Sequence, residues 1–61
     1  GESVGAVAAP VFDFEGRFIA VLGVVVPKSE QNTEGWTRFK RATRETAKSA
    51  SFAMGYPYYD A

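Results

Sequence analysis

The side chains that offer chemistry here are a carboxylate pair, a few serine hydroxyls and a run of helix cations. Asp13 and Glu15 stand two residues apart, a spacing that would suit a general acid and base. They flank Phe14 just before Gly16, however, and acids in such a tight turn are normally solvated turn formers. Ser3, Ser29, Ser49 and Ser51 are nucleophiles only beside a base, and the chain contains neither histidine nor cysteine. No catalytic residue is therefore expected, nor an ordinary zinc site, a metal or a cofactor, and the chain does not read as an enzyme. Arg38, Lys40, Arg41, Arg44 and Lys48 form a basic stretch able to touch phosphate. Glu34 and Glu45 dilute it, so it reads as a solvated helix face, with Trp36 and Phe39 as core anchors and not platforms for bases.

Size limits what can position such groups. The 61 residues make one domain at most, and a chain this short buries only about 60% of its unfolded surface. Small folds compensate with disulfides, a metal or partner chains. Without cysteine or histidine, oligomerisation or membership of a larger domain is left, and the latter is favoured. A hydrophobic content of 46% is too high for a disordered segment. Seven basic and seven acidic residues cancel, so no net field draws the chain to nucleic acid or an anionic membrane. Gly1-Glu2-Ser3 lacks the basic start of a signal peptide. The longest apolar run, Phe18 to Pro27, is about half of a bilayer span. The expected location is the cytoplasm, with no membrane contact.

Three elements follow from periodicity and punctuation. A strand is expected from about Val4 to Phe12, with Pro10 at a bulge or facing outward because it cannot donate to a ladder. Asp13-Phe14-Glu15-Gly16 makes a four-residue hairpin loop with Gly16 in the left-handed position. A second, β-branched strand runs from Arg17 to Val26 and stops at Pro27. After the polar connector Lys28 to Asn32, either Asn32 or Thr33 caps a helix over about 33–54, with Glu34 favourable against its dipole. Trp36, Phe39, Thr43, Ala47, Ala50 and Met54 recur at threes and fours on its apolar face. Gly55 supplies the C-terminal cap, and Pro57 prevents resumption. The fold class is α/β in the α+β sense: an antiparallel hairpin followed by one long helix.

Pairing Phe12 with Arg17 places Val4, Ala6, Ala8, Val21, Gly23 and Val25 on one face of the hairpin. Val7, Ala9, Val11, Phe18, Ala20, Leu22, Val24 and Val26 take the other. The bulkier face is the seat for the helix. The small-residue face, apolar as well, must be covered by something else. Gly23 there is either a ligand wall or a close approach of another core element. The tail Tyr56-Pro57-Tyr58-Tyr59-Asp60 either contacts a partner subunit or packs back on its own hairpin.

The segment Ala8-Ala9-Pro10-Val11-Phe12-Asp13 with Gly16-Arg17, the apolar strand ending in Pro27 and the helix ending in Gly55-Tyr56 resemble the C-terminal end of IclR-family transcriptional regulators. In that family a winged helix-turn-helix precedes a GAF-like effector-binding domain. Nearly all of this chain aligns with about the last third of such an effector domain, and the DNA-binding domain lies outside it. The resemblance implies an effector pocket that uses Ala6, Gly23 and Val25. Typical members have Ser-x-Ser-Gly-Pro where this chain has Gly23-Val24-Val25-Val26-Pro27, so two hydroxyl donors are missing. A more apolar or bulkier effector is the implied consequence.

Two functions are thus expected of this chain. The first is the effector-binding and oligomerisation part of an IclR-type regulator, sensing a small, rather apolar metabolite without touching DNA itself. The second is a truncated remnant that only self-associates through its strand edges, as a homodimer or higher.

Overall fold

The computed structural model describes residues 5–60; the expectations placed on Ser3 and Val4 fall outside them. Strand β1 (Gly5–Phe12) and strand β2 (Phe18–Val26) form a two-stranded antiparallel sheet. A single 3-10 turn over Lys28–Glu30 leads to helix α1 (Thr33–Ala53), which lies on one face of the sheet. The expected α+β hairpin and helix are what the chain forms.

The pairing register differs from expectation, and two local features explain how. Phe12 pairs with Phe18, not Arg17, because the turn extends through Arg17. The Asp13 N–H donates to the Arg17 carbonyl at 3.0 Å, and the Gly16 N–H donates to the Asp13 carbonyl at 2.9 Å. The Asp13 carboxylate also accepts from the Glu15 and Arg17 N–H groups, at 2.9 and 3.0 Å. Gly16, with φ at +76°, closes this turn. One extra loop residue would turn every β2 side chain to the wrong face. A bulge restores the phase: Val11 pairs with Ala20, so Ile19 is the extra residue. From there Ala9 meets Leu22, Ala8 meets Gly23 and Ala6 meets Val25. The register has slipped by two, and the faces of residues 20–26 are as expected. Phe18 alone is transferred; it is 61% exposed and borders a shallow hollow with Ala8, Pro10 and Val21, away from the helix.

Helix α1 begins at Asn32, whose side chain accepts from the Gly35 N–H at 2.8 Å. It ends with Gly55 at φ +93°. There the Tyr56 N–H donates to the Ser51 carbonyl and the Gly55 N–H to the Phe52 carbonyl, a Schellman closure. Thr43, Ala47 and Ser51 are its buried positions along the sheet, with Trp36 and Phe39 half-buried. Ala50 and Met54, expected on this face, are exposed. Steps of four from Thr43 to Ala47 to Ser51 carry the buried seam about 80° around the helix, and Ala50 is left behind on its exposed side. Ser51 also does what alanine cannot: its Oγ accepts the Phe12 N–H at 3.0 Å.

Ala9, Val11, Ala47 and Tyr59 form the core, flanked by Phe12, Leu22 and Tyr56. The tail therefore packs back on its own hairpin through Tyr59, while Tyr58 remains 77% exposed. The Thr43 side chain is buried, and its Oγ1 has no hydrogen-bond partner among the described residues. Thr43→Val keeps the shape and removes that hydroxyl. Thermal unfolding is expected to show a gain of about 1 kcal/mol, the lower range of an unsatisfied buried group.

Candidate functional site

Among the described residues, nothing covers the face of the sheet opposite α1. Ala6 lies directly across from Val25, and Gly23 lies across from Ala8, with Val21 opposite Pro10 next along. Directly opposed side chains on such a face stand about 5 Å apart and diagonal ones about 7 Å. Ala6, Gly23 and Val25, the three residues singled out from the sequence, consequently share one small patch. Val25 is 67% exposed and Val21 is 57% exposed. A Cβ added at Gly23 would meet nothing within 4 Å, so no element among the described residues approaches it closely. The patch carries no titratable or hydroxyl side chain. It can bind by apolar contact and shape, and it holds no group for proton transfer.

The other chemistry-bearing residues are dispersed. Among the described residues no cluster of three or more Asp or Glu side chains is placed to hold a metal ion. Asp13 is built into the turn, its Oδ2 bound by the Arg17 Nε at 3.0 Å. Hydrogen bonding from the Arg17 backbone N–H, then from Glu15, together with the Arg17 side chain, holds its carboxyl below the usual value of 3.8, against a smaller opposing effect of burial. The folded state thus binds this proton less readily than the unfolded chain. Its contribution is complete above pH 3.8 and is lost as pH falls through the lower folded-state value. Melting curves recorded from neutral pH down to about pH 2 should show a falling midpoint, and a smaller fall in Asp13→Asn.

Of the helix cations, Arg38 pairs with Glu30 across the start of the helix. Arg44 lies 3.7 Å from Glu45 and 5.5 Å from the centre of the Tyr59 ring. A recess of about 240 Å³ also opens between the end of α1 and the returning tail, lined by Lys48, Phe52, Tyr56, Pro57 and Tyr59. Sequence reasoning missed it because it exists only once Tyr59 docks. The aromatic clustering of the tail was the signal available.

No protein-family model, curated protein or solved structure matches this chain. No helix among the described residues is long and apolar enough to cross a membrane.

Proposed function

We propose that this chain supplies one wall and the closing helix of an effector-binding domain of the IclR type, which senses a small and rather apolar metabolite in the cytoplasm. The observation that carries this reading is the uncovered face on which Ala6, Gly23 and Val25 lie together, apolar and free of charge. A sheet that is apolar on both faces is stable when both are covered. Here α1 covers one, and effector together with the rest of the domain covers the other. Val25 and Gly23 in place of hydroxyl side chains leave no side-chain donors to orient a hydrophilic acid, so apolar ligands are favoured. Sensing would act by population shift: the ligand favours the subunit arrangement whose binding face it completes, and attached DNA-binding domains are respaced.

The test is a ligand screen by NMR on the labelled chain, with aromatic and aliphatic metabolites beside small hydroxy- and keto-acids. Apolar members should shift the amides of Ala6, Gly23 and Val25. Binding confined to hydrophilic acids, or shifts confined to the outer face of α1, would overturn the reading. The bare edge of β2 favours the second function, self-association, and gives it a specific geometry.

A further inference from the structure

The two edges of the sheet are unequal. In an antiparallel pair, alternate residues turn both backbone groups away from their partner strand. On β1 these are Ala6, Ala8, Pro10 and, beyond the bulge, Phe12. Pro10 has no N–H to offer, its carbonyl accepts the Tyr59 hydroxyl at 2.7 Å, and the Phe12 N–H is taken by Ser51. Proline and covering side chains are how proteins blunt an edge. The β1 edge is thus closed along its second half.

On β2 the outward residues are Val21, Gly23 and Val25, the partners of Pro10, Ala8 and Ala6. No strand lies beside them among the described residues. The segment Ala20–Val26 has no charge and no proline, and it is bounded by the bulge at Ile19 and by Pro27. Gly23 is its midpoint, with an outward residue two positions to either side. A segment with this layout is complementary to itself under a twofold rotation.

We propose that β2 pairs antiparallel with β2 of a second copy of this chain about a twofold axis that passes midway between the two Gly23 residues. Gly23 then faces the partner's Gly23, and Val21 faces the partner's Val25. The result is a four-stranded sheet ordered β1-β2-β2-β1. Both helices lie on one side, and both small-residue faces join on the other. Uncharged side chains avoid like-charge repulsion at the seam, and the absence of a Cβ at the axis removes crowding where identical residues meet. Because the rotation closes, both β2 edges are used up, and the β1 edges, each closed along its second half, become the outer edges of a dimer. The inference takes up the self-association part of the proposed function and stands independently of ligand sensing.

Sedimentation equilibrium of the chain should show a monomer–dimer equilibrium. Val21→Pro copies the device of Pro10 on the opposite strand and removes only an outward N–H. It should shift the equilibrium to monomer with an unchanged helix signal in circular dichroism. Should that variant not fold, cross-linking decides the matter. In the absence of native cysteine, Gly23→Cys should form a disulfide-linked dimer in air with a copper catalyst. The paired Cα atoms lie about 5.5 Å apart, within the roughly 4.4–6.8 Å that a disulfide spans. Val25→Cys is also exposed but would stand about 14 Å from its own copy, so it should cross-link poorly. A monomer at all concentrations, a dimer indifferent to Val21→Pro, or equal cross-linking at both positions would overturn the proposal. Loss of ligand binding in the earlier screen, with the dimer intact, would overturn only the sensing function.

Discussion

Gly35→Ala is expected to unfold most of the chain at room temperature, although alanine is the better helix former. Gly35 is the third residue of α1 and is buried. On propensity alone the change should stabilise by about 1 kcal/mol. The 3-10 turn over Lys28–Glu30 folds back across this position, however. A Cβ built there falls against the Glu30 carbonyl oxygen and 2.7 Å from its carbon. Backbone cannot rotate aside as a side chain does, so the turn or the first helical turn must move. That turn is tied in place: Asn32 donates its N–H to the Glu30 carbonyl at 2.9 Å, and the Gln31 amide donates to the Val26 carbonyl at 3.1 Å. Overpacking against backbone costs about 3 kcal/mol or more. A core of this size supplies about 3–5 kcal/mol in all. Circular dichroism at 25 °C and one fixed concentration should therefore show most of the helix signal gone. A melting temperature equal to or above the parent's would mean propensity outweighs the contact.

What the sequence made legible was governed by local rules. Asn32, Gly55 and Pro57 bracket the helix because capping is satisfied within a few residues of chain. The composition of the open face was legible except for Phe18, because alternation from Ala20 onward survives any even slip in register. The register itself was not, since it depends on how many N–H groups the Asp13 carboxylate gathers and on a bulge at Ile19 with no residue signature of its own. Ser51 was passed over because an apolar stripe is found by counting apolar residues. Its burial makes sense only once the Phe12 N–H, turned away from β2, needs an acceptor. Gly35 carried no signal at all, as its neighbour Glu30 comes close only after the connector folds. Gly23 presented the opposite case: a strand glycine can signal close approach, yet this one faces open space within the chain.

Tyr59 is where the tail, hairpin and helix are joined, and its removal should be nearly as damaging as the change at Gly35. The residue is 7% exposed and belongs to the core with Ala9, Val11 and Ala47. Its ring stands 5.9 Å from Phe12, its hydroxyl donates to the Pro10 carbonyl at 2.7 Å, and the Arg44 guanidinium lies over it. Tyr59→Phe keeps the ring and loses the hydrogen bond. It should cost about 1 kcal/mol, or about 5 °C in melting temperature for a chain of this length. Tyr59→Ala removes the ring and leaves a cavity, at a cost of about 3 kcal/mol. Hydrogen exchange adds a spatial prediction. Because the tyrosine closes the β1 edge only around Pro10, Tyr59→Phe should leave the Phe12 amide protected by Ser51. Tyr59→Ala should expose it by letting the tail detach. If both variants melt alike, the hydroxyl and not the ring is the fastening, and the tail holds this edge by a single polar contact.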